Sequence, residues 1–335
     1  MSAGRPASPS GVRVGAHVSI GRGFAAMARA AAEIGCESVQ VFTRSPRGGA
    51  AKKLDPADLA KMKRVFEGAG IGPLVVHTPY FVAPASHKEE VGELATRMIV
   101  EDSIRAQALG AAYVVVHAGH YKGEAGRRGP EMVALRVGAA IRELSGAGGG
   151  GSTGGGGRGG DGGPDGCPGG KCPLVLVENG AGGTSDASGR LEDWAECLHL
   201  IRAEGLPVGG CLDTAHLWGS GWEFDLADSG EPDDDDAGAG RGPGREAVRR
   251  LIAKLEELDV LSMVKVLHLN DSCADRGSCK DRHEHIGKGQ IPLEAFRALL
   301  RQPSFAGVPG IVESSPDDGA LAADMVLLKQ LRDGR

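Results

Sequence analysis

Eight short apolar runs, each followed by a stretch of helical character, recur along almost the whole chain, and this alternation narrows its fold most. The strand-like runs are Val12–Val18, Ser38–Phe42, Leu74–Val76, Tyr113–Val116, Leu174–Val177, Val208–Leu212, Met263–Leu267 and Gly310–Val312. Helices are expected between them over 24–34, 55–68, 87–109, 130–144, 191–203, 245–258 and 293–300, with a closing one over 317–331. The second opens on Asp55-Pro56, a cap residue and then Pro at the first helical position. Runs that are apolar on both faces suit parallel strands with helices on one side and a packed interior on the other. Eight such units close into a (β/α)8 TIM barrel of the α/β class, here a single domain over 12–335. A doubly wound open sheet is the alternative. It would ask for a glycine-rich phosphate fingerprint after the first strand, and Ile20-Gly21-Arg22-Gly23-Phe24 is too fragmentary for one.

In such a barrel, function sits where the strands end. Six of the eight runs are followed at once by a residue that can bind a metal: His77, His117, Glu178, Asp213, His268 and Glu313. Three more, His216, Asp281 and His283, come a few residues past a strand end and so fall at the same mouth. In extended backbone, residues two apart point the same way, so Asp281 and His283 can grip one ion together. Four carboxylates converging on one mouth repel one another unless cations join them. Five imidazoles and four carboxylates with no Cys favour zinc, with manganese next. Nine donors exceed what one ion can use. Two or three ions with bridging carboxylates follow, the arrangement that clamps the attacking and leaving oxygens of a phosphoryl displacement.

A formal net charge of −6 excludes a globally basic nucleic-acid binder, but three divalent ions would add +6, so the acidity says little against a phosphate substrate. With only 3 Trp, 3 Tyr and 7 Phe, the core must be aliphatic. The 7 Cys show neither a disulfide framework nor a CxxC pair, which suits a reducing compartment. No apolar run reaches membrane-spanning length and the first residues lack a secretory core, so a soluble intracellular protein, without membrane association and monomeric, is expected. Residues 1–11 read as a disordered lead. The glycine-rich stretch 146–171 reads as a disordered insertion on the face away from the mouth. The acidic stretch 225–244, with Asp233 to Asp236, reads as a solvated loop on the mouth side.

The ordered motifs carry a resemblance. Gly15-Ala16-His17-Val18-Ser19, Val41-Phe42-Thr43-Arg44-Ser45-Pro46-Arg47, His77-Thr78-Pro79-Tyr80, Val177-Glu178-Asn179, Asp213-Thr214-Ala215-His216, His268-Leu269-Asn270-Asp271-Ser272 and Asp281-Arg282-His283-Glu284-His285-Ile286-Gly287-Lys288-Gly289 follow one another in sequence. Together they resemble the endonuclease IV family of zinc-dependent apurinic/apyrimidinic endonucleases over nearly the whole chain. The resemblance implies three zinc ions, with Mn2+ as a substitute. His77, His117 and Glu178 would hold the first; Glu178, bridging, with Asp213, His268 and Glu313 the second; His216, Asp281 and His283 the third. It implies hydrolysis of the phosphodiester 5′ to an abasic site in double-stranded DNA, by a hydroxide that the metals make available, leaving a 3′-hydroxyl and a 5′ deoxyribose phosphate. It also implies that Arg47 and Tyr80, with Arg44 nearby, probe the duplex. Such selectivity is physically reasonable, because an abasic nucleotide has no base to unstack. Simple solvation for the two arginines and plain packing for Tyr80 are the alternatives. The chain departs from the family at Ser45 and Gly49, where Asn and Trp are usual, and in Ala118-Gly119-His120-Tyr121-Lys122. His17 is expected to support the site rather than ligate.

Two other functions compete. A metal-dependent sugar or sugar-phosphate isomerase or epimerase on a similar barrel would need fewer His ligands and would leave His216, Asp281 and His283 as surplus. A metal-stabilised binding module has no use for so many donors at an open mouth.

Overall fold

A computed structural model describes residues 11–48, 51–121, 129–146, 172–225, 244–314 and 319–334. The N-terminal lead up to residue 10, nearly all of the glycine-rich and acidic stretches, and Gly49 lie outside the described residues.

The eightfold alternation closes. Strands β1 (Arg13–His17), β2 (Ser38–Phe42), β3 (Leu74–His77), β4 (Tyr113–His117), β5 (Leu174–Glu178), β6 (Gly209–Asp213), β7 (Val264–His268) and β10 (Pro309–Val312) form one parallel barrel. Their order is β1-β10-β7-β6-β5-β4-β3-β2, so the last strand seals the seam against the first. Around them lie α1 (Phe24–Glu33), α2 (Pro56–Ala69), α3 (Glu89–Leu109), α4 (Gly129–Gly146), α5 (Leu191–Ala203), α7 (Arg245–Glu257), α8 (Leu293–Arg301) and α9 (Ala320–Asp333). Asp55 caps α2 as its sequence suggests, accepting from the Ala57 amide at 2.9 Å.

Two elements were not legible beforehand. Helix α6 (Thr214–Gly219) follows β6 without a break, and a two-residue antiparallel ribbon pairs β8 (Asp271–Ser272) with β9 (His283–Glu284). The helix is too short for apolar periodicity to register, and the ribbon sits where turn-forming residues dominate. Cys172 is disulfide-bonded, although the cysteine spacing shows no disulfide framework and suits a reducing compartment; Cys36, Cys197, Cys211, Cys273 and Cys279 are free. No helix among the described residues is long and apolar enough to cross a membrane.

A ring of inward-facing side chains, Val75, Val115, Leu176, Cys211, Val266 and Ile311, fills the barrel, while a larger aliphatic core lies between strands and helices. Strand side chains alternate faces, so the next inward position is two residues further on. For these six strands that position is His77, His117, Glu178, Asp213, His268 and Glu313. The register aligns them: Phe42 is opposite His77, His117 opposite Glu178, and Asp213 opposite His268. The six strand-end candidates for metal binding therefore form the top layer of the barrel's own stack.

Close packing behind that layer tolerates little. A Cβ on Gly210 would collide with the Trp194 ring, which is fully buried and donates from Nε1 to the Val177 carbonyl at 2.9 Å. Gly210→Ala should destabilise the protein by about 2–3 kcal/mol, read from urea unfolding, as overpacking of a rigid core does.

Candidate metal centre

The nine donors expected at the mouth form one continuous cluster. Glu178 is at its centre: its Oε2 lies 3.1 Å from His77 Nε2 and 3.3 Å from His117 Nδ1, and its Oε1 lies 2.8 Å from His268 Nδ1. His268 Nδ1 is also 3.1 Å from Glu313 and 3.6 Å from Asp213. On the other flank His283 Nε2 is 2.9 Å from Asp281 and 3.7 Å from Asp213, and His216 Nε2 is 3.4 Å from Asp281. Three groups have donor atoms all within 4.8 Å of one another: His77, Glu178, His268; Glu178, Asp213, His268, Glu313; and Asp213, His216, His283. The middle group coincides with the set that the resemblance implies for the second ion. His117 and Asp281 border the other two groups through Glu178 and His283.

Several of the donors are aimed by a partner behind them. His77 Nδ1 faces the Thr78 carbonyl at 2.7 Å and His216 Nδ1 faces the Asn179 carbonyl at 2.8 Å; a proton held there leaves Nε2 of each ring bare toward the centre. Asp213 accepts the His216 amide at 2.8 Å, which starts α6 and turns His216 back over the mouth. Its own amide donates to Asn179 at 2.7 Å. Asn270 donates to Asp213 at 2.6 Å and Glu313 at 3.1 Å while accepting the Glu313 amide at 2.8 Å. Gln40 accepts from His268 Nε2 at 2.9 Å, donates to Glu313 at 2.6 Å and lies 3.1 Å from His17 Nδ1. Gln40, Asn179 and Asn270 were missed as site residues. The available signal was position, since Gln40 is a buried polar residue in the middle of β2.

The charge balance tests whether cations belong here. Among the described residues, the ion-pair partners of Glu178, Asp213, Asp281 and Glu313 are histidines. Burial opposes charge on His216 and His283. The charge of Asp213 and the hydrogen bond to Asp281 overcome it for His216, raising it well above an ordinary imidazole. The Asp281 hydrogen bond and the charges of Asp213, Asp281 and Glu313 push His283 up to about 9. For His117 burial wins, and its pKa is lowered despite Glu178. Buried Cys211 beneath the cluster is pushed up to about 12, so it offers a thiol rather than a thiolate. A buried nitrogen and oxygen donor set carrying four carboxylates fits divalent cations of the zinc or manganese kind.

The three DNA-facing candidates separate. Tyr80 is 66% exposed beside the mouth, its ring 5.5 Å from Phe42 and 5.9 Å from His117, and its neighbour Phe81, not foreseen, is also exposed. Arg47 is exposed in the loop after β2. Arg44 is buried instead: it donates to Asp102 at 2.9 Å and Glu101 at 3.0 Å on α3. Asp102 also accepts from Thr43 at 2.5 Å, and Arg105 donates to the Thr43 carbonyl at 2.7 Å. The guanidinium of Arg44 is thus spent on fixing the start of this loop.

A family model for the xylose isomerase-like TIM barrel matches residues 28–331. A probable endonuclease 4 from Heliobacterium modesticaldum is 32% identical over 296 residues, covering 88% of this chain and 90% of that one. A second, from Methanoculleus marisnigri, is 30% identical over 307 residues, covering 92% and 94%. The chain belongs to the endonuclease IV family. Endonuclease IV from Thermus thermophilus has a structure similar to this family member, with a TM-score of 0.73 at 25% identity, covering 96% of this chain and 100% of that one. A D-tagatose 3-epimerase-like protein, at 17% identity and a TM-score of 0.58, shares the fold alone.

Two outcomes follow for this endonuclease IV relative. Arg44→Ala strands the buried Asp102 carboxylate and should cost roughly 3 kcal/mol of stability in urea unfolding. In the metal-free protein, His283 has its pKa raised from 6.5 to about 9, so its contribution to stability is fully present below pH 6.5 and is lost as pH rises through about 9. A cation held by His283 would have to displace that proton. Between these limits the chelated protein should lose thermal stability while its apparent zinc affinity rises, as calorimetry in buffers of different ionisation heat would show.

Proposed function

We infer that this chain is a DNA-repair endonuclease that hydrolyses the phosphodiester 5′ to an abasic site in duplex DNA, leaving a 3′-hydroxyl and a 5′ deoxyribose phosphate. The observation that carries this reading is the second flank of the cluster. His216, Asp281 and His283 extend the donor set past the six strand ends, toward the open side of the mouth where the Asp281 side chain is 48% exposed. A sugar isomerase has no use for that extension. The relatives named as endonuclease 4 support the same choice.

In this reading His77, His117 and Glu178 hold one zinc, Glu178, Asp213, His268 and Glu313 a second, and His216, Asp281 and His283 a third, with manganese able to substitute. When bound, such cations lower the pKa of water and neutralise charge on attacking and leaving phosphoryl oxygens. The chain's own part is placement. A cleft of ≈ 420 Å³ beside the cluster is lined by Tyr80, His117, Glu178, His216, Cys279 and Asp281, and it gives an extrahelical sugar a place next to the donors. Tyr80 and Phe81 offer apolar surface to the gap left by the missing base, where stacking compensates for their exposure. Desolvation at the mouth, together with the nearby Glu313, Asp281 and Glu178 charges, raises the Tyr80 phenol, so it works as a neutral ring. Arg47 supplies positive charge toward the backbone phosphates. The enzyme acts as a monomer inside the cell.

The purified protein should nick a duplex carrying one tetrahydrofuran abasic analogue, and prolonged chelation should abolish the nicking. Glu178→Ala, which removes the shared carboxylate, should lower kcat/KM by more than about 10²-fold. Turnover of a sugar phosphate panel with no cut in the abasic duplex would overturn this reading.

A further inference from the structure

The segment between β7 and α8 has an unusual task, because it must leave the barrel after His268 and bring Asp281 and His283 back to the mouth. Its turning point is Asp271, a fully buried carboxylate whose hydrogen bonds among the described residues all go to backbone amides rather than to any of the nine donors. One oxygen accepts from the amides of Ser272 at 2.8 Å and Ile291 at 3.0 Å, the other from Gly287 and Gly289, both at 2.9 Å. Four backbone N–H groups thereby use the carboxylate's full accepting capacity. The backbone at Gly289 presses so closely on Asp271 and the Ser272 carbonyl that a side chain there has no room. Ser272 also accepts the Gln290 amide at 2.8 Å, so both ends of the segment are tied to one point.

The other side of the segment rests on α6. Gly277 donates to the Trp218 carbonyl at 3.0 Å, Cys279 donates to Gly219 at 2.9 Å, and Trp218 Nε1 donates to Ala274 at 2.9 Å. The six strand-end donors, by contrast, stand on the barrel strands, and what they take from this loop is the Asn270 side chain, which donates to Asp213 and Glu313 at the loop's first residues. Apart from its neighbour Ser272, the amides that Asp271 gathers belong to the far end of the loop, so the outer flank depends on a support that the strand-end donors do not share.

We propose that Asp271 is the positioning residue for the outer ligand set, so that loss of its carboxylate weakens the cation held by His216, Asp281 and His283 and spares the sites built on the strand ends. The inference rests on the three-cation reading above. Asparagine at this position offers one accepting atom and one donating group, leaving two of the four amides without an acceptor.

The test is cobalt and zinc titration of metal-free wild type and Asp271→Asn, followed by visible absorption of bound cobalt and by elemental analysis. Wild type should take up three equivalents. The variant should keep two at wild-type affinity and bind the third at least about 10-fold more weakly. Excess zinc should restore incision to Asp271→Asn but not to Asp281→Ala, a rescue expected only where the donors remain and their placement is lost. Should Asp271→Asn not fold, Gly289→Ala, which disturbs the same cage from the backbone side, is read by the same criteria. Three equivalents at wild-type affinity in the variant, or equal weakening of all three in a folded variant, would overturn the proposal. A wild type that never takes a third equivalent would overturn the three-cation reading itself and this inference with it.

Discussion

Like charge held in a small buried volume is the constraint on which the rest of this structure depends. Glu178, Asp213, Asp281 and Glu313 converge on a space where their ion-pair partners, among the described residues, are histidines. No fold keeps such a cluster for stability, because apolar residues of the same size would pack there at less cost. The barrel supports it because eight parallel strands in register present one inward layer, and hydrogen bonds with Gln40, Asn179 and Asn270 fix orientations that would otherwise drift. Fold and site are in this sense a single arrangement: the aliphatic ring of Val75, Val115, Leu176, Cys211, Val266 and Ile311 is the platform, and the donors are its next layer.

Much of this was legible in the chain because strands impose a period of two and barrels put function at strand ends. The apolar runs ending in His77, His117, Glu178, Asp213, His268 and Glu313 needed no long-range information to be singled out. What stayed hidden was whatever depends on a partner distant in sequence. Gln40 looks like an ordinary polar residue in Ser38–Phe42 until β1, β7 and β10 surround it. Asp271 reads as a turn former, and its role as acceptor for amides up to twenty residues away follows only from the folded loop. Helix α6 was hidden because six residues are too few to show a face.

Arg44 shows how a motif match and a physical role can part. It lies in the same short stretch as Arg47, and sequence gives no reason to treat the two differently. The fold does, through Asp102, which occupies a buried position on α3 where a carboxylate needs a cation. One arginine therefore braces the loop and the other is left free to reach outward. Tyr80, packed edge-on against Phe42, divides the labour in the same way, one aromatic inside and one at the rim.

The seam of the barrel carries one more consequence. Glu313 stands at the end of β10, the last of the eight strands to leave the ribosome, and β10 closes against β1, the earliest. A growing polypeptide therefore holds an open, unsealed sheet and lacks one of its central carboxylates until that strand emerges. On the proposed reading, the donor set is therefore complete only once the barrel has shut.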